Sequence, residues 1–354
     1  MQQTLERQVI PFSLEALQKL SKDVKQTATN LGKAEARFLV DLYYQLQEFR
    51  IRTQSQCRSI IQSDVDEPIN TLSFFQNNFA QLESDLQKVL DVYTMNHPVG
   101  RWCRSITGLG PVITAGFLAN LDITKAPTAG HFWSYCGLND QNRPWLGSVK
   151  VSDIVAGVLG NKRNKDITYA DFAECCIRTQ WRPENVINAI DGKGNKIFFN
   201  DNGEYKFKKE DIIKQLSKRP FNNNMKCLCW KLAQSFVKVQ NSEKDFYGKL
   251  YVNRKLYETV KNEKLEYKDQ AEKSLKRLKD KSTETYKANI QGKLSQGHIN
   301  RRAERYATMI FLSHLHQVMY MVEYGTLPPK PFAIEHLGHA HVIECPNLDV
   351  IMGG

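Results

Sequence analysis

A run of apolar residues between positions 72 and 93 is the sequence feature that most constrains the fold. Its members recur at alternating steps of three and four residues: Leu72, Phe75, Phe79, Leu82, Leu86, Val89 and Tyr93. This spacing places them on one face of an α-helix and is typical of a coiled coil. A coiled coil of three heptads is only marginally stable by itself. This face is therefore expected to pack against the helical pattern at 38–49 or against a second copy. We favour the second copy and therefore predict a homodimer.

A glycine-containing segment follows this region. Gly108 and Gly110 separate two apolar helical patterns, and Pro111 suits the first position of the second helix. The pattern predicts a helix-hairpin-helix, in which amides at the second helix start bind a nucleic-acid phosphate. The alternative is an ordinary tight turn between two core helices. The expected nucleic-acid-binding residues are Arg101, Arg104, Thr107, Gly108, Leu109, Gly110, Val112 and Thr114.

Charge and composition narrow the class of partner. The net charge of +11 and the isoelectric point near 9.1 favour a polyanion, with DNA as the expected partner and RNA left open. No apolar run approaches the roughly 20 residues of a membrane span, and the N-terminus lacks a signal-peptide layout. A cytoplasmic protein without membrane association is expected. The eight cysteines form no Cys-x-x-Cys pair, so a zinc finger is not predicted.

The predicted fold is mostly α, with a coiled-coil region, a helix-hairpin-helix core domain and a small α+β insertion. Residues 1–97 form the long-helix region, and residues 98–147 the first part of the core domain. Residues 148–218 form the insertion, residues 219–325 the C-terminal helices of the core domain, and residues 326–354 an irregular tail.

Two segments carry finer expectations. Within the insertion, residues 196–207 predict one β-hairpin, because Asn202-Gly203 suits its turn. Residues 254–282 are dense in lysine and glutamate, which predicts a solvated helical arm anchored by leucines such as Leu256 and Leu265.

Residues 106–138 resemble a bacterial transposase family, the insertion-sequence transposases guided by a bridge RNA. The resemblance is carried by Ile106-Thr107-Gly108-Leu109-Gly110-Pro111, then Ala115, Leu118 and Asp122-Ile123, and finally Trp133-Ser134-Tyr135-Cys136-Gly137-Leu138. It covers about 80 residues well and about 200 loosely. It implies the C-terminal helix-hairpin-helix domain of these transposases, preceded by a coiled coil.

The sequence departs from that family in two ways. The N-terminal nuclease-like domain has no counterpart, since the chain before residue 95 has a helical pattern without strands. The family's catalytic serine follows the Gly-Leu step, and Ser148 is the only candidate by position. A serine that attacks a phosphodiester needs a base or basic neighbours, and only Arg143 and Lys150 are near. The alternative role of Ser148 is the N-cap of the following helix.

Clusters of histidine and acidic residues are possible metal ligands, so a metal-ion cofactor stays possible, although we assign no metal site. His314 and His316 form one cluster, and a second contains His336, His339 and His341. A tight acidic cluster at residues 64–67 fits a solvated turn better than a two-metal site.

Three hypotheses therefore remain. The chain is a transposase-like DNA-binding protein of a mobile element or prophage, an active recombinase that uses Ser148, or a structural or assembly protein with a coiled coil. The sequence leaves open which DNA is bound and whether a guide RNA takes part.

Overall fold

The computed structural model describes residues 28–63, 70–139, 145–329 and 343–352, which contain fifteen α-helices and no β-strand. The predicted mostly α class is confirmed. None of the described helices is both long enough and apolar enough to cross a bilayer.

Two long helices form an antiparallel hairpin, α1 (Lys33–Gln62) and α2 (Asn70–Met95). The Phe49 and Phe79 rings stack with centroids 5.7 Å apart, and Arg50 donates to the Glu83 carboxylate at 2.6 Å. The heptad face of α2 therefore packs against α1 of the same chain. Its burial is uneven, because Tyr93 at the base is buried whereas Phe75 near the tip is 49% exposed.

The main core lies at the base of this hairpin. The Phe311 ring occupies its centre and contacts the rings of Trp102, Phe117, Phe236 and Tyr247, with centroids 5.4 to 5.9 Å apart. Trp102 and Phe311 are 209 positions apart, so the core closes only when the C-terminal helices return. The helices that build it are α3 (Pro98–Ser105), α4 (Pro111–Asn120), α5 (Ala129–Tyr135), α10 (Asn223–Val239), α11 (Tyr247–Glu263) and α14 (Gln296–Tyr324).

A second core lies inside the range 148–218 assigned to the insertion, where Phe172, Phe198 and Phe207 pack together. The predicted β-hairpin does not form strands there. One isolated bridge joins Phe199 and Tyr205, because only short extended stretches flank the turn. The helices of this unit are α6 (Gly147–Leu159), α7 (Tyr169–Arg178), α8 (Pro183–Ile187) and α9 (Lys209–Leu216).

The lysine-rich segment packs differently from the expectation. Leu256 is 65% exposed and Leu265 is also exposed, so the prediction that these two leucines anchor the segment is wrong, whereas Leu275 and Leu278 are half-buried. The buried face of α11 carries Tyr251, Glu258 and Asn262 instead, because polar groups of the following segments satisfy them. Two short helices follow, α12 (Lys268–Leu275) and α13 (Glu284–Ile290).

The described part of the C-terminal tail is not wholly irregular, which corrects that prediction. A short helix, α15 (Asp349–Met352), lies against α3. The Trp102 indole donates to the Pro346 carbonyl oxygen at 2.8 Å, and the Asn347 amide donates to the Ser105 carbonyl oxygen at 3.1 Å. The tail therefore closes the outer side of the core.

Candidate nucleic-acid interface

Helices α3 and α4 are joined by a tight turn at the glycines. Gly108 has φ +94°, a conformation that side chains with a Cβ rarely adopt. The Leu109 amide donates to the Ile106 carbonyl oxygen at 3.1 Å, which closes the turn. Gly110 is the N-cap of α4 and Pro111 its first residue, as the sequence predicts. This local geometry is compatible with a helix-hairpin-helix and with a structural turn.

Residues from far along the chain hold this turn. The Ser235 hydroxyl donates a hydrogen bond to the Gly108 carbonyl oxygen, and the Thr107 hydroxyl donates to the Lys244 carbonyl oxygen at 3.1 Å. A Cβ placed on Gly108 would lie 3.1 Å from Cγ2 of Val239. The turn is therefore fixed against the C-terminal end of α10 and the loop that follows it.

The opposite side of the turn is open. A Cβ built on Gly110 meets no atom within 4 Å, and no side chain of the N-cap residue covers the start of α4. The first amides of a helix have no partner within it and carry the positive end of its dipole. Lys238 and Lys244 are exposed on the elements that hold the turn. The turn thus combines an open start of α4 with positive charge on the elements behind it.

Three of the predicted contact residues are buried in the structure. Thr114 is fully buried and its hydroxyl finds no hydrogen-bond partner among the described residues, so its side chain is not available to a ligand in this conformation. Leu109 and Val112 are also buried, which leaves only their backbone groups.

The two predicted arginines are partly exposed. Arg104 binds the Asp91 carboxylate at 3.0 Å and donates to the Leu109 carbonyl oxygen, so it stabilises the turn and its charge is paired. Among the described residues, the Arg101 side chain donates only to the Met95 carbonyl oxygen, at 3.4 Å. Of the predicted basic contacts, Arg101 therefore remains the more available one.

Sequence reasoning missed Ser235, Lys238 and Lys244, since they lie over 120 positions after the turn. The charge pattern of the sequence nevertheless indicates a basic surface in this region. Residues 212–242 contain six lysines and arginines and no aspartate or glutamate. An acid-free segment of this length in a chain with 38 acidic residues marks a positive surface.

Ser148 lies in the insertion, away from the turn. It is exposed and lines an open groove together with Glu210, Lys214 and Lys218. Helix α6 begins at Gly147 with Leu146 as its N-cap, so the predicted role of Ser148 as the N-cap is wrong. The described part of the lining contains positive charge and the Glu210 carboxylate but no histidine.

Both histidines of the first cluster have structural partners. His314 Nε2 bonds the Ile343 carbonyl oxygen at 2.8 Å, and His316 Nε2 bonds the Ala126 carbonyl oxygen at 2.7 Å. Burial lowers the pKa of both, which keeps them neutral. No metal-binding group of three or more ligands occurs within the described residues. The second histidine cluster and the acidic cluster at residues 64–67 lie outside them, as does Arg143.

Comparison of the chain with protein-family models, with curated proteins and with solved structures gave no match. The resemblance to the transposases therefore rests on the residues quoted above.

Proposed function

We propose that this chain is a transposase-like DNA-binding protein of a mobile element or prophage, which contacts the duplex backbone through the α3–α4 turn. One observation carries the proposal. The turn is fixed from behind by Ser235 and Lys244, whereas a Cβ added on Gly110 meets no atom, and Lys238 and Lys244 are exposed on the elements that hold the turn. A rigid backbone surface with amide donors suits a phosphate and reads little sequence.

Gly110 offers a clean test of this proposal. Its φ of −84° is open to any residue, and an added Cβ meets nothing. Gly110→Val should therefore leave the fold intact but keep a phosphate away from the amides of α4. We expect several-fold weaker binding of a fluorescent duplex, measured by anisotropy, with an unchanged circular dichroism spectrum. Equal affinity in the folded variant would contradict the proposal.

Charge variants complete the test. Lys244→Gln should weaken duplex binding, whereas Lys165→Gln, an exposed lysine on the insertion, serves as the matched control. Gly108→Ala is not suitable, because the positive φ and the contact with Val239 would strain the turn itself. Equal losses in both lysine variants would indicate attraction by net charge alone.

A second candidate function, strand cleavage by Ser148, is favoured by one observation. Its exposed hydroxyl lines a groove with Lys214 and Lys218, and neighbouring positive charge lowers the pKa of a nucleophile and attracts a phosphodiester. The described lining offers Glu210 but no histidine as a base, which leaves DNA binding the better-supported function. A covalent serine–DNA adduct would test cleavage directly.

A further inference from the structure

The exposed face of α10 is a second basic surface. Asn223, Lys226, Trp230, Gln234 and Lys238 follow one another at steps of three or four residues and so share one side of the helix. Each of them is at least partly exposed. This side belongs to the acid-free segment 212–242. An ordinary solvated helix face in this chain would mix both signs of charge, as α11 does.

Trp230 is the unusual member of this face. Its side chain is 50% exposed at the middle of the helix, although an indole of this size is normally buried in large part. The Arg301 guanidinium lies 6.0 Å from its ring centroid. Arg301 is itself exposed and bonds Glu304 at 2.8 Å, which holds it in place. The pair presents a flat aromatic surface beside a guanidinium whose charge is paired with Glu304.

A second pair of the same kind lies before the N-terminal end of α10. Trp145 is 47% exposed, and the Arg219 guanidinium lies 4.7 Å from its ring centroid. The Trp145 indole donates to the Ser217 carbonyl oxygen at 2.9 Å, which fixes the orientation of the ring. Two half-exposed tryptophans, each with an arginine, thus lie along one acid-free segment.

The two ends of α10 connect the sites described above. Its C-terminal end holds the α3–α4 turn through Ser235 and Val239, and the residue Lys218 before its N-terminal end lines the Ser148 groove. The helix has 17 residues and so spans about 25 Å. A strand that followed its exposed face would extend from the Ser148 groove toward the residues that hold the turn.

We propose that the exposed face of α10 binds single-stranded DNA, with one base stacked on Trp230 and the phosphates near Lys226 and Lys238. Stacking on an exposed indole requires an unpaired base, which a duplex does not supply. Aromatic platforms in an acid-free basic segment are the features with which proteins hold single strands. The choice of DNA rests on the proposed function, because the α3–α4 turn would hold the adjoining duplex.

The test uses the full chain and a fluorescein-labelled dT12 oligonucleotide. We expect Trp230→Ala to weaken binding about tenfold, within the range for loss of one stacked base. Trp230→Phe should recover most of the affinity, because a ring remains. Tyr324→Ala is the matched control, since Tyr324 is a 47% exposed aromatic residue on α14 and lies outside the acid-free segment.

The proposal is overturned if Trp230→Ala and Lys226→Gln both bind dT12 as the wild type does. Duplex binding that still depends on Gly110 would then leave the proposed function standing. The proposal is also overturned if Gly110→Val abolishes dT12 binding while Trp230→Ala does not, since the turn would then hold the single strand. Tighter, Trp230-dependent binding of rU12 would overturn the choice of DNA.

Discussion

Arg302 donates a hydrogen bond from Nε to Oε2 of Glu258 at 2.6 Å, and the Glu258 side chain is completely buried. Arg254 binds the other carboxylate oxygen, and the Tyr267 hydroxyl donates to the same oxygen as Arg302. Burial acts to raise the pKa of Glu258, but these three donors outweigh it and lower the pKa below its usual 4.5. This carboxylate ties α11 to α14 and to the segment before α12.

Glu258→Gln should therefore destabilise the fold strongly. The substitution keeps the volume but leaves Arg254 and Arg302 facing a neutral amide, and loss of one partner of a buried ion pair costs about 3 kcal/mol. Urea unfolding followed by circular dichroism measures the change. Glu284→Gln, which removes an exposed pair with Lys287, should cost less than about 1 kcal/mol. Equal effects would contradict the role of Glu258.

Stability should also fall when the pH is lowered from 7.5 to 5.5. Burial lowers the pKa of His314 below 6.5, so the unfolded chain binds a proton in this range that the folded chain does not. The stability that His314 contributes is thus present above pH 6.5 and decreases below it. His314→Gln should make the pH dependence shallower in urea unfolding. His97, His298 and His316 have lowered pKa values too, so some dependence should remain.

The α3–α4 turn and the lysine-rich segment 254–282 show which features can be predicted from neighbouring residues alone. Gly108, Gly110 and Pro111 restrict their own backbone, so the turn and the start of α4 could be placed from sequence. The residues that hold the turn, Ser235 and Lys244, could not be predicted, because only tertiary packing brings them close to it.

The same limit explains the error on α11. Helical periodicity shows which residues share a face of α11. Which of these faces is buried depends on Arg302, 44 positions after Glu258. Leucine content alone therefore selected Leu256, which the structure leaves exposed. The position of Trp230 beside Arg301 was likewise beyond local reasoning, since 71 positions separate them.

Duplex binding should depend steeply on salt. A protein that neutralises phosphates releases counterions, so the logarithm of affinity falls linearly with the logarithm of salt concentration, with a slope of about −0.9 for each phosphate. Titrations between roughly 50 and 200 mM salt give this slope. Lys244→Gln should reduce its magnitude by about one, whereas Lys165→Gln should not. A flat salt response would argue against backbone binding.

The chain is expected to be a dimer at tens of micromolar. Phe79 of the α2 heptad face stacks on Phe49 of α1, but Phe75 and Leu82 of the same face stay exposed and could meet a second copy. Light scattering of the full chain gives the mass. Phe75→Glu should lower that mass to one chain, and Leu256→Glu is a control on the arm. A monomeric wild type would leave only the intramolecular hairpin.

Ser148→Ala decides between the two candidate functions. Ser148 does not cap α6 and its side chain is exposed, so the substitution should change the free energy of unfolding by less than about 0.5 kcal/mol. If the chain only binds DNA, the variant keeps duplex affinity and the wild type forms no covalent adduct. If Ser148 is the nucleophile, the wild type forms a serine-linked DNA adduct that the variant lacks. We expect no adduct, because the described residues that line the groove beside Lys214 and Lys218 include Glu210 but no histidine. Denaturing electrophoresis after incubation with labelled duplex detects the adduct, and its appearance in the wild type alone would establish the recombinase.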